Sequence, residues 1–216
     1  MHLVMFDIDG TLVDSAGFES KLYIAAVRDV LKLDIDTDWN HYEHVSDSGI
    51  LAEVLHNACR DGEFETIAVQ VQQRFVGRVR DYLQGAPNAV REVGGAKRLV
   101  ERLLEVPDVR VGIATGGWKP TALMKLAHVG IDVGRLGFAS SSDARARTDI
   151  MRLAAERAMQ GRAFERATYF GDGAWDQHAS AELGYDFIAV GNAVSHPVAF
   201  ADLNDTDAIL KQLGVS

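Results

Sequence analysis

The sequence predicts an α/β fold, a Rossmann-like parallel sheet with helices on both faces, into which a bundle of helices is inserted after the first strand. Three observations predict it. From residue 88 onward, short apolar runs alternate with helical patterns, which is how parallel strands joined by crossover helices read. The opening run, Leu3 to Phe6, is apolar and bounded by polar residues, as in a strand covered on both faces. Between these, from 16 to about 84, the chain has helical periodicity and no strand pattern. The expected organisation is a sheet-bearing unit from residues 1–15 and 88–216 and a helical unit from residues 16–87.

After the first strand, Ala16 to Leu31 is rich in helix formers, with Phe18, Leu22, Ala26 and Val30 at roughly helical spacing. Asp34 to Asn40 is polar and reads as a loop. Ser48 to Cys59 reads as a short helix with Ile50, Leu51, Val54 and Leu55 on its apolar side. Cys59 is expected there as a packing residue. Glu63 to Leu83 carries the clearest pattern. Phe64, Ile67, Val71, Phe75, Val79 and Tyr82 fall at steps of three and four, with glutamines and arginines off that line. Gln84 to Asn88 reads as a return linker. Strands then follow at 110–115, 136–140, 167–170 and 186–190, with helices at 96–104, 119–128, 149–159, 176–183 and 205–213.

The chain has 216 residues, 47% of them hydrophobic and 25% charged, an ordinary globular profile. Its formal net charge of −9 argues against nucleic acid and anionic membranes as partners. An anionic ligand would need a locally positive site. The single cysteine permits no internal disulfide and fits a reducing, cytoplasmic location. No basic leader or long apolar segment is present, so neither a signal peptide nor a membrane span is expected. The seven histidines lack metal-ligand spacing.

Polar clusters close the predicted strands, where open parallel sheets bind ligands. Asp7 and Asp9 are two residues apart, hence on one side of an extended chain. Like charges resist joint ionisation, so the pair suits a cation or a shared proton, though DxDG also suits a solvated turn. A carboxylate can attack phosphorus, and a second acid with a raised pKa can shuttle the proton. Thr115, followed by Gly116 and Gly117, offers a hydroxyl and backbone N–H groups to phosphate oxygens; a threonine also simply completes a β-branched strand. Arg145 and Arg147 precede a helix, where a cation suits a transferring phosphoryl group and a surface pair with Asp149 is the plainer role. In Gly171-Asp172-Gly173-Ala174-Trp175-Asp176, two acids flank a strand-to-helix turn. That suits Mg²⁺, and equally a helix N-terminus.

The stretch Asp7-Ile8-Asp9-Gly10-Thr11-Leu12-Val13 resembles the first motif of the haloacid dehalogenase superfamily of phosphohydrolases. Thr115, the Arg145–Arg147 pair and Asp172–Asp176 resemble its later motifs, each at the end of its own strand and in the same order. The chain is thereby identified as a phosphoglycolate phosphatase-like member with an inserted helical cap. The resemblance covers residues 1–15 and 88 to about 195. It implies Mg²⁺-dependent hydrolysis of a small phosphorylated metabolite through an aspartyl-phosphate. Asp7 is implied as nucleophile and Asp9 as acid/base, with Thr115, Gly116 and Arg147 on the phosphoryl group. Arg145 is the alternative third-motif cation. Asp7, Asp172 and the backbone carbonyl of Asp9 are implied as metal ligands, with Asp176 behind them. The loop from His44 to Gly49 is the place to look for specificity, although Ser46 or Asp47 also suits a plain helix N-cap. A phosphomutase or phosphotransferase shares these motifs, and a phosphate-binding relic would keep the fold without turnover. The chain is expected as a monomer or homodimer.

Overall fold

Strand β1 (His2–Phe6) lies at the centre of a six-stranded sheet, and all five of its residues are buried. Alternation sends Leu3 and Met5 into the core on one face and Val4 and Phe6 into the core on the other. The sheet also contains β4 (Val109–Thr115), β5 (Gly137–Ser140), β6 (Arg166–Gly171), β7 (Asp186–Val190) and β8 (Ala199–Phe200). Its order is β5-β4-β1-β6-β7-β8 and every pairing is parallel. The computed structural model describes residues 1–15, 17–88 and 90–215. Ala16, expected to open the first helix, lies outside these residues, as do Ala89 and Ser216 of the expected sheet-bearing unit.

Helices α6 (Arg147–Met159) and α7 (Ala174–Leu183) supply the core residues that meet Leu3 and Met5, among them Ile150, Met151, Ala154 and Ala179. Helices α4 (Ala96–Glu105) and α5 (Lys119–His128) supply Leu99, Leu103, Ala122 and Leu126 to the cluster that holds Val4 and Phe6. The C-terminal helix α8 (Thr206–Leu213) adds Ile209, Leu210 and Leu213 to that same cluster.

Between Asp14 and Arg91, the described residues hold helices and no strand: α1 (Phe18–Leu31), α2 (Asp47–Asn57) and α3 (Phe64–Gly85). The period-3.6 face of α3 is buried as expected through Ile67, Val71, Phe75 and Val79. Two short strands, β2 (Val13–Asp14) and β3 (Arg91–Glu92), pair antiparallel where the chain leaves the sheet and where it returns. Neither was legible, because two residues carry no period. A 3₁₀ turn at Trp39–His41 replaces part of the expected loop. Helix α2 stops at Asn57, so Cys59 is not the expected packing residue. It is exposed, beyond the helix, with φ at 56°. Among the described residues no helix is long and apolar enough to cross a membrane.

The helices and the sheet share one continuous apolar cluster. At the junction Tyr23 of α1, Phe75 of α3 and Trp118, just before α5, form an aromatic group with ring centroids 5.6–6.1 Å apart. Trp118→Ala should therefore cost about 3–5 kcal/mol of stability, the range for truncating a buried large aromatic, read from urea unfolding. A loss within error would mean that this junction carries little of the packing.

Candidate active site

The parallel pairing of β1 and β6, with Phe6 opposite Phe170, places the residues after these strands side by side. The Asp7 N–H donates to the Phe170 carbonyl at 2.9 Å, which fixes the turn. Asp172 and Asp176 follow β6 on its way into α7. One carboxylate oxygen from each of Asp7, Asp172 and Asp176 lies within 4.8 Å of the other two. Gly10, at φ 73°, makes this possible, since a Cβ there would lie 1.9 Å from Asp172 Oδ2. Asp176 is fully buried, and its Oδ2 accepts the Gly173 N–H at 3.2 Å.

Arg147 opens α6 and is buried against this trio. Its Nη1 donates to Asp7 Oδ1 at 3.3 Å and lies 3.4 Å from Asp176 Oδ1; its Nη2 donates to the Val45 carbonyl at 3.3 Å. Gly116 permits the approach, because a Cβ there would meet Arg147 Nη2 and the Val45 carbonyl, each at 2.9 Å. Arg145 does not reach the site. It is exposed, with its guanidinium 3.9 Å from the centre of the Phe64 ring. Asp149 pairs with Arg152 rather than with either of them.

One arginine does not offset three clustered acids, Asp7 and Asp176 buried and Asp172 half-buried. Burial first, then the charge of Asp7 and Asp9, pushes the Asp172 carboxyl up to about 7. Burial and the charge of Asp176 raise Asp7 despite Arg147. Burial also raises Asp176, with Arg147 opposing.

Asp9 departs from expectation. Burial pushes its carboxyl up, but Lys125 and hydrogen bonds from Glu19, Lys125 and Ser15 outweigh burial and hold it below the usual value. Neighbouring carboxylates alone would raise it, which is the sense the sequence predicts. Lys125 of α5 is completely buried, and its Nζ donates to Asp9 Oδ2 at 2.5 Å and to Glu19 Oε2. Glu19 comes from the first turn of α1. Sequence reasoning missed both residues, since each sits inside an ordinary helical pattern.

Thr115 ends β4, buried, and its Oγ1 accepts the Gly117 N–H at 3.1 Å, so that N–H is held within the turn. The segment from His44 to Gly49 lies over it: the Asp47 N–H donates to the Gly116 carbonyl at 2.7 Å and the Trp118 N–H to Asp47 Oδ2 at 2.7 Å. Ser46 is the N-cap of α2, accepting the Gly49 N–H, and also donates to the Arg145 carbonyl. A cavity of about 410 Å³ opens in front of these groups, with Asp7, Asp9, Asp47, Thr115, Arg147 and Asp172 in its wall.

Fold and site define an α/β protein with a buried acidic centre at the carboxyl end of its sheet. A family model described as haloacid dehalogenase-like hydrolase matches residues 1–184, and the chain belongs to that family. Its fold is similar to a hydrolase from Pseudomonas syringae (TM-score 0.73, 19% identity, 100% of both chains). It is also similar to β-phosphoglucomutase from Clostridium difficile (TM-score 0.72, 16% identity, 98% of this chain and 96% of that one). A third similar structure, from Lactobacillus plantarum, is provisionally described as a phosphoglycolate phosphatase (TM-score 0.56, 18% identity, 97% of both chains). No curated protein matches the sequence significantly.

The buried lysine generates a stability prediction. Lys125→Met leaves Asp9 and Glu19 without their shared cation and should cost about 3–5 kcal/mol, as removing one partner of a buried ion pair does. Denaturant unfolding measures it, and a loss below about 1 kcal/mol would place the pair among weak surface-type bridges.

Proposed function

We propose that the chain is a Mg²⁺-dependent phosphatase that hydrolyses a small phosphate monoester through an aspartyl-phosphate. The observation that carries this reading is the meeting of Asp7, Asp172 and Asp176 with Arg147 at the joined tips of β1 and β6.

The donor set fits a divalent cation. It is all oxygen, with Asp7 and Asp176 buried and Asp172 half-buried, and one oxygen from each lies within 4.8 Å of the other two. On this reading Asp7, Asp172 and the Asp9 backbone carbonyl would hold Mg²⁺, with Asp176 orienting the site from behind. The ion would offset the negative charge of the phosphoryl group.

The residues then divide the work. Asp7 attacks phosphorus, and the bond to the leaving alcohol breaks. Thr115, the Gly116 backbone and Arg147 hold the phosphoryl oxygens. Asp9 supplies the proton to the alcohol, then takes one from the water that cleaves the acyl phosphate. Its ionised form, held by Lys125, suits the second step. The first requires the protonated form, its proton taken up from solvent before the chemical step, turned from Lys125 Nζ toward the leaving oxygen. Residues 16–87 act as the cap over this chemistry, with 1–15 and 88–216 as the catalytic core. The 44–49 loop supplies substrate contacts. The same groups would serve a phosphomutase, and release of inorganic phosphate distinguishes hydrolysis from transfer.

Asp7→Asn should lower turnover of a generic aryl phosphate by about 10³-fold or more. Chelation should abolish turnover and added Mg²⁺ restore it. Undiminished phosphate release in either experiment would contradict the mechanism.

A further inference from the structure

The cavity in front of Asp7 continues past Thr115 toward α1 and the 44–49 loop, and the charge in its wall is one-sided. Among the described residues that line it, Arg147 is the only cation, and it stands at the phosphoryl end, beside Asp7 and Asp176. Glu19 and Asp47 border the space beside the phosphoryl site. A Cβ built on Gly117 would lie 3.9 Å from Glu19 Oε1, 4.0 Å from Asp47 Oδ2 and 3.6 Å from Thr115 Oγ1.

Lys125 pairs with Glu19 through Oε2 from behind the wall and does not line the cavity. Glu19 Oε1 is buried and has no hydrogen-bond donor. Asp47 Oδ2 receives one backbone N–H. Asp9 and Glu19 share Lys125, Asp47 stands beside them, and burial and mutual repulsion raise Glu19 and Asp47, so this end of the cavity is short of positive charge. Tyr23 and Trp39 complete the wall, with ring centroids 6.4 Å apart.

This arrangement discriminates among leaving alcohols. A second anion, whether carboxylate or phosphate, would be desolvated beside Glu19 and Asp47 with no cation opposite it. An ammonium would donate to Glu19 Oε1 and Asp47 and find aromatic faces nearby. We infer that the preferred substrate, on the phosphatase reading above, is the phosphate monoester of an amino alcohol, with its ammonium seated between Glu19 and Asp47. The inference excludes phosphoglycolate as the preferred substrate.

Three esters of one size test it: phosphoethanolamine, 2-hydroxyethyl phosphate and 2-phosphoglycolate, assayed with Mg²⁺ alongside an aryl phosphate. The amine ester should exceed the hydroxyl ester in kcat/KM by about tenfold, and the carboxylate ester should fall about tenfold below it. Asp47→Asn keeps an oxygen for the Trp118 N–H and should narrow the amine-to-hydroxyl ratio, chiefly through KM. Equal rates for the three esters, or a fastest carboxylate ester, would overturn the inference and leave the phosphatase reading intact. So would turnover of the aryl ester with none of the three, or a ratio unchanged in both Asp47→Asn and Glu19→Gln. Failure on all four esters would remove the phosphatase reading and this inference together.

Discussion

Strands β1 and β6 lie side by side and parallel, so the acids that follow them share one small volume. Coulomb repulsion among buried carboxylates is costly, and each is pushed toward its protonated form. The protein tolerates this because Arg147 reaches in from α6 and because Gly10 and Gly116 remove the side chains that would keep the charged groups apart. Much else at this end of the sheet is arranged around that centre. The Asp7 turn is tied to β6 by its backbone, and Val45 offers its carbonyl to Arg147.

A second buried charge group joins the helical segment to the sheet. Lys125 stands between Asp9 of the opening turn and Glu19 of α1. The aromatic group of Tyr23, Phe75 and Trp118 lies along the same seam, and Asp47 binds the backbone on either side of Gly117. Packing and charge therefore hold the α1 and 44–49 segments against the turn that carries Thr115. The cavity between them takes its shape and its sign from residues of both parts of the chain.

The strand tips were legible because their signals are local: an apolar run, then a carboxylate or hydroxyl, then glycine. The long helix α3 was legible because its period extends over six turns' worth of sequence. Features set by remote partners were not. The sense of the Asp9 shift depends on Lys125, which lies in another helix and within an unremarkable amphipathic pattern. The choice between Arg145 and Arg147 depends on which side chain points inward at the start of α6, and that only the packing decides. The two-residue strands β2, β3 and β8 lack any period to read, and the end of α2 before Cys59 carries no glycine or proline signal at the boundary.

The central claim is that the acids after β1 and β6 form one cation site. Titration calorimetry of Mg²⁺ into the wild-type protein and into Asp172→Asn tests it directly, free of any substrate. The account predicts one binding event in the wild type and an affinity at least about tenfold weaker in the variant, as loss of a charged ligand entails. Equal affinity in the two proteins would contradict it.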